Sequence, residues 1–359
     1  MDKHIVFIHS LNNFTGSPNV LSVIVKGLLI KGYPITLITS KGDGFLSDIK
    51  GIKYKYTCYR WTNNTLYTLL LLMVSQIQTF FYILFLPRKD RHYYINTIIP
   101  FGAALACKLS HKEYTYHVHE NMQQDKIIYA LLRWVYKYCN HKTIFVSNYL
   151  KGTALKCRNS ITIYNALEEN FTAKVINFRQ QQTKENGKAI LMIASLRRFK
   201  GIYEFAEIAR ALPQYSFELI LAATQEEVNT FISETGIINN LKVYSRQKDL
   251  HPFYQRSRLL LQLSHPESWI ETFGLTILEA MYYGIPSIVP DVGGPLELID
   301  DGQNGYAINP HKTDQIISKI KELMEDEILY NRFSKAALDK SKTFSEEKMI
   351  NEIEAYINN

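Results

Sequence analysis

Residues 259–310 read LLLQLSHPESWIETFGLTILEAMYYGIPSIVPDVGGPLELIDDGQNGYAINP. An apolar run at 259–264 predicts a buried strand, and a polar loop leads from it to a helix starting near Thr272 and Phe273. Gly284-Ile285-Pro286 ends that helix before a second strand at 287–290. Gly293-Gly294-Pro295 turns the chain again before a third strand at 306–308. Strands apolar throughout suit a parallel sheet covered on both faces.

The same alternation extends in both directions. Further strands are predicted at 4–9, 35–39, 52–57, 92–96, 114–119, 143–146 and 161–164, then at 190–194, 217–222 and 241–244. Strand-helix alternation over 359 residues predicts two doubly wound α/β domains. The first is placed at 1–167 and the second at 189–343. Residues 168–188, rich in Gln, Lys, Glu and Asn, read as a linker. The segment 344–359 reads as an amphipathic helix with Glu346 and Glu347 in its first turn, expected to pack back on the first domain.

With 46% hydrophobic and 21% charged residues, the composition excludes disordered and collagen-like classes. The net charge of +7 is unevenly spread. Residues 1–165 carry 20 Lys and Arg against 7 Asp and Glu, a net +13, while the remainder carries 21 against 27, a net −6. The basic half is suited to an anionic partner, and a membrane surface fits better than nucleic acid, because Lys and Arg are scattered and no recognition motif accompanies them. Cys58, Cys107, Cys139 and Cys157 form no C-x-x-C pair and read as reduced thiols. The opening MDKHIVFIHS reads as a first strand, and no targeting signal is visible. The stretch 66–86, LYTLLLLMVSQIQTFFYILFL, is long enough to span a bilayer. Thr68, Ser75, Gln76 and Thr79 interrupt it mainly on one side of a helix. A buried core helix, a membrane-docked helix and a span all stay open.

The loop and helix at 265–280 carry the chemistry. The N-terminal amides of that helix, near Gly274 and Leu275, offer unpaired N–H groups and positive dipole to an anion such as phosphate. Glu271 and Glu279 frame it, and a carboxylate accepts hydrogen bonds from paired sugar hydroxyls. Taken singly these features are weak. Glutamates eight apart arise on ordinary helices, Gly-Gly makes ordinary turns, and a lysine after a strand is usually solvated.

In combination they resemble the retaining glycosyltransferases of family 4. Glu271-TFGLTIL-Glu279 matches that family's E-x7-E motif, and the residues through Pro310 match its donor domain almost without a gap. Gly16-Ser17-Pro18 resembles its N-terminal glycine loop and His117-Val118-His119-Glu120 its acceptor-side histidine segment. Phe145-Val146-Ser147, Ile163-Tyr164-Asn165 and Lys200-Gly201 match in order. The resemblance implies the GT-B fold, two Rossmann-like domains facing each other across a cleft. It implies that Glu271 binds donor-sugar hydroxyls beside the anomeric carbon, that Glu279 binds ribose, that Phe273 lies on the donor side, and that the amides of Gly274 and Leu275, assisted by Lys200, hold the diphosphate. Glu271, His119 and Lys200 would be the catalytic group. Gly16 would line the donor side, with Ser17, His119 and Glu120 on the acceptor side. One departure stands out: the family's Gly-Arg pair is replaced by Ala194-Ser195, with Arg197 and Arg198 nearby as candidate substitutes.

The expected activity is transfer of a sugar, with retention, from a nucleotide sugar, UDP-linked in the leading reading. The acceptor would be lipid-linked or a growing polysaccharide such as capsule or lipopolysaccharide. A GDP- or ADP-sugar, or a soluble acceptor, is the same-fold alternative. An inactive nucleotide-sugar-binding subunit is disfavoured by the intact Glu271, Glu279, Lys200 and His119. No D-x-D sequence occurs, so neither a metal nor another cofactor is expected. The expected location is cytoplasmic, peripheral on the inner face of the membrane.

Overall fold

The computed structural model describes residues 3–123, 127–180 and 188–359. They divide into two compact units, one of Met1–Ala166 with Glu346–Asn359, the other of Leu167–Ser345.

The first unit holds β1 (His4–Ile8), β2 (Ile35–Ser40), β3 (Lys53–Thr57), β4 (Arg91–Asn96), β5 (Tyr114–Val118), β6 (Lys142–Phe145) and β7 (Asn159–Thr162). They form one parallel sheet in the order β3-β2-β1-β4-β5-β6-β7. The second unit holds β8 (Ala189–Ala194), β9 (Ser216–Leu221), β10 (Leu241–Tyr244), β11 (Ser257–Leu261), β12 (Ser287–Val289) and β13 (Gly305–Ala307). Their order is β10-β9-β8-β11-β12-β13, again parallel. Both units are therefore doubly wound α/β domains, as the strand pattern predicts. Each reverses its strand order once, between β1 and β4 in the first and between β8 and β11 in the second. Ligands of such sheets bind outside the carboxyl ends of the strands at that reversal.

The C-terminal helix Glu346–Asn358 joins the first unit. Its Ile353 and Ile357 are fully buried, Glu354 pairs with Lys31 at 2.5 Å, and the Tyr356 hydroxyl accepts from the Thr143 amide.

Residues 168–188 are not a plain linker. Glu169–Gln180 is a helix of the second unit, and 181–187 lie outside the described residues. Phe171, Val175 and Phe178 fall on one helical face. Val175 is buried, and both phenyl rings stack on His251. The surrounding polar residues dilute this short apolar stripe until it disappears from the composition.

The apolar stretch forms the helix Thr65–Phe85, and it is turned inside out. The reading as an ordinary core helix is thereby overturned. Its buried side is Thr68, Leu72, Ser75, Gln76, Thr79 and Ile83, so the polar residues point inward. They are satisfied there: Gln76 Oε1 accepts from the Gly102 amide at 3.0 Å, while Ser75 and Thr79 donate to carbonyls of their own helix. Lys112 Nζ donates to the carbonyls of Ile83 and Leu84, where a cation also suits the dipole. Solvent receives Leu66, Leu69, Leu70, Met73, Ile77, Phe81 and Phe85.

Candidate active site

In the second unit, β8 and β11 each deliver one charged residue to the strand-order reversal. After β8 the chain makes a short 3-10 turn, Arg198–Lys200, and Gly201 follows at φ 76°. A Cβ at Gly201 would lie 2.2 Å from the Leu263 carbonyl oxygen, so glycine is needed both for the left-handed backbone and for space. This close approach carries Lys200 against the loop that leaves β11. Its Nζ meets Glu271 Oε2 at 2.9 Å and sits 5.3 Å from the centroid of Trp269, whose ring stacks on Phe199. Immediately after Glu271, Gly274 starts the helix Leu275–Tyr282 at φ 110° with no side-chain cap on its amides. The result is a cation, a carboxylate and a helix N-terminus side by side.

Two turns inside that helix, Glu279 is buried and accepts from the Tyr254 hydroxyl at 2.5 Å. Burial pushes its carboxyl up to about 7, with the Tyr254 bond opposing. Folding then favours the protonated form, so this residue's contribution to stability falls as pH rises from about 4.5 through 7. Glu279→Gln is expected to lift that penalty, by up to about 3 kcal/mol at pH 8. The gap in melting temperature between variant and wild type should widen from pH 5 to pH 8; a constant gap would contradict the assignment.

In the first unit, the reversal between β1 and β4 holds a histidine cluster, with His9 and His117 buried and His119 partly buried. His119 Nε2 lies 3.0 Å from Asn96 Oδ1, and Asn96 Nδ2 bonds His9 Nδ1 at 3.0 Å and the Ser17 carbonyl at 3.3 Å. An amide oxygen only accepts and an amide nitrogen only donates. Asn96 therefore fixes the tautomers, with the proton of His119 on Nε2 and an unprotonated Nδ1 on His9. Burial holds His9 down to about 4 and His119 well below its ordinary value, the latter assisted by His117 and His9. Both imidazoles are thus neutral at pH 7. Glu120 is pushed up to about 7 by burial.

Residues 174–340 match the family described as Glycosyl transferases group 1, which takes in nearly the whole second unit. N-acetyl-alpha-D-glucosaminyl L-malate synthase of Bacillus anthracis is 26% identical over 209 residues, 54% of this chain and 52% of that one. Poly(glycerol-phosphate) alpha-glucosyltransferase of Bacillus subtilis is 27% identical over 168 residues, 45% of this chain and 24% of its own length. The chain thus spans about half or less of these relatives. The crystal structure of Anabaena HepE in complex with UDP and glucose superposes over 99% of this chain and 100% of its own, with a TM-score of 0.79 at 19% identity. The fold is that of the GT-B glycosyltransferases.

Within the second unit, the predicted residues separate into those brought together and those turned elsewhere. Lys200 pairs with Glu271, which lies three residues before Gly274 and the helix start at Leu275. Arg198 lies over the Tyr203 ring at 5.1 Å, and Arg197 is exposed where its charge acts on Glu227. Lys200 is the cation that meets Glu271. The Phe273 ring is buried at 2% exposure and packs edge-on to Phe344, which leaves its backbone as the part that could face a ligand. Ser195 accepts the Arg197 amide in the turn after β8. In the first unit Gly16 opens the helix Gly16–Ile30, Ser17 contributes its carbonyl to Asn96, and Glu120 follows His119.

Sequence reading missed Asn96, His9, Tyr254 and Trp269. Asn96 had one visible signal, its place as the last residue of β4 at the strand-order reversal. Tyr254 lay in a segment not singled out, and nothing in sequence tied it to a glutamate 25 residues on.

Proposed function

We propose that the chain is a retaining glycosyltransferase that moves a sugar from a UDP-sugar to a lipid-linked or growing polysaccharide acceptor. The observation that carries it is the Lys200–Glu271 pair beside the uncapped start of the helix Leu275–Tyr282. Bond breaking places negative charge on the departing diphosphate. Fixed donors aimed at such charge stabilise the transition state more than the ground state. Lys200 Nζ and the amides of Gly274 and Leu275 would supply them, without a metal in the transfer step. Glu271 would orient the sugar hydroxyls, and Glu279 the ribose. Retention is the family resemblance's contribution: the departing phosphate takes the acceptor proton on the face it leaves, and the protein supplies position. On the acceptor side, His119, neutral and oriented by Asn96, would serve as a hydrogen-bond partner rather than as a cation.

UDP is favoured by the likeness to HepE, whose structure holds UDP and glucose. Incubation with UDP-, GDP- and ADP-linked hexoses tests the reading. Hydrolysis or transfer confined to UDP-sugars is expected; turnover of none of them would overturn it.

The membrane side of the proposal rests on the inverted helix Thr65–Phe85. Its exposed apolar face accompanies exposed Trp61, Trp134 and Tyr138 in a unit whose first 165 residues carry +13. Aromatic and basic residues around an apolar stripe suit the headgroup region of an anionic bilayer. The chain would then work on the cytoplasmic leaflet. Co-flotation with vesicles containing phosphatidylserine should be strong for wild type and largely lost in Leu70→Asp/Ile77→Asp, both exposed positions. Equal flotation of the two would refute docking through this helix. A small soluble acceptor is the second reading, favoured by the likeness to the L-malate synthase.

A further inference from the structure

Beside the donor loop the second unit gathers two imidazoles and two carboxylates that the transfer reaction does not use. His265 and Glu267 lie in the segment leaving β11, and His311 follows β13. His311 Nε2 is 2.8 Å from Glu267 Oε1, and His265 Nδ1 is 3.8 Å from that same oxygen. The two imidazole centroids are 4.7 Å apart, and one ligand atom from each of the three residues falls within 4.8 Å of the others. Nitrogen and oxygen donors around a tetrahedral zinc stand about 3.3 Å apart, from bonds of about 2.0–2.1 Å. The two measured separations bracket that value.

A second feature lies behind the first. His265 is 8% exposed, and its other nitrogen, Nε2, faces Glu204 Oε1 at 3.0 Å. Among the described residues that contact falls short of hydrogen-bond geometry, and Glu204 Oε2 is buried with no hydrogen-bond partner, which is rare for buried polar atoms and asks for a reason. A metal-bound imidazole has one. Its second N–H is commonly held by a carboxylate, which sets the tautomer and raises the basicity of the ligating nitrogen. A surface ion pair between His311 and Glu267 would explain neither Glu204 nor the burial of His265.

We propose that His265 Nδ1, Glu267 and His311 bind a divalent transition-metal ion, zinc by the chemistry of the set, with Glu204 as the positioning carboxylate behind His265. Two imidazoles and a carboxylate are a zinc donor set, leaving a fourth position for water. The ion would be structural. The His265 amide donates to the Phe199 carbonyl at 2.8 Å, and the Trp269 amide donates to the His265 carbonyl at 2.8 Å. The site is thereby tied to both partners of the Phe199–Trp269 stack under Lys200. A bound ion would stiffen the segment that presents Lys200 and Glu271, and it takes no part in bond breaking.

The test uses tag-free, chelator-treated full-length protein reloaded with zinc or cobalt(II), and it needs no substrate. Wild type should retain a single zinc through gel filtration, and its cobalt form should show the intense visible bands of a tetrahedral site. His311→Ala, at an exposed residue, and His265→Ala should each abolish retention. Glu204→Gln should weaken affinity by about 10–100-fold while leaving stoichiometry at saturation unchanged. Absence of retained metal in wild type, retention undiminished in the two alanine variants, or only the faint spectrum of hydrated cobalt would each overturn the site.

Discussion

Lys200→Ala is expected to lower kcat for sugar transfer by about 10²–10³-fold, the cost of removing one preorganised donor from a developing anion. Glu271→Ala should fall at least as far, and the double variant should cost little more than the worse single one, because residues acting as a unit are not additive. The structural reason is their direct contact at 2.9 Å. Neither charge stands alone in the free enzyme, so removing one also changes the orientation of the other. The fold should hardly notice. Both side chains keep some solvent access, 17% and 25%, and partly exposed pairs are worth roughly 0.2–1 kcal/mol. A melting temperature within a few degrees of wild type, with kcat collapsed, is therefore the expected pair of measurements. Transfer by Lys200→Ala at more than a tenth of the wild-type rate would remove Lys200 from the chemistry. It would direct attention to Arg197 or Arg198, which the structure otherwise turns toward Glu227 and Tyr203.

The parts of this site that sequence could announce are those fixed locally. Lys200-Gly201 and Glu271 through Glu279 sit in turns and helix starts whose chemistry is set within a few residues. The parallel strands announce themselves because residues such as those of β8 and β11 are buried on both faces and carry no polar alternation. What stayed hidden depends on the long-range partner. The polar residues at 68, 75, 76 and 79 visibly share a helical side, but only the packing against Gly102 shows that this side is the inner one. Gly102 has a reason to be glycine there, since a Cβ would lie 2.1 Å from the Gln76 carbonyl oxygen. Asn96 joins His9, Ser17 and His119 across 23 to 87 residues of chain, so no local pattern reveals the network. Glu279 shows the same limit in electrostatic form. Its spacing from Glu271 was legible, while its raised pKa comes from burial, which outweighs the lowering effect of the Tyr254 hydrogen bond.

Gly294→Ala should damage activity about as severely as loss of a charged residue, although Gly294 offers no side chain to any ligand. Its backbone is ordinary, φ −60° and ψ −31°, so any residue could adopt the conformation. The demand for glycine is one of space. A Cβ at 294 would lie 2.1 Å from the Thr272 carbonyl oxygen and 2.6 Å from the Phe273 amide nitrogen, both backbone atoms that no rotamer change can move aside. The Gly294 amide also donates to the Glu271 carbonyl at 2.8 Å. Relief of the clash must therefore push apart the turn at 293–294 and the segment 271–273. Overpacking of this kind costs about 1–3 kcal/mol, which in a unit of this size lowers the melting temperature by roughly 2–4 °C per kcal/mol. The larger effect is geometric. Moving Glu271 and the first amides of the helix Leu275–Tyr282 by about 1 Å is enough to cost ~10²-fold in rate. Assays well below the melting transition separate the two effects. A Gly294→Ala protein that melts lower yet transfers sugar at the wild-type rate would show that Glu271 does not depend on this turn for its position.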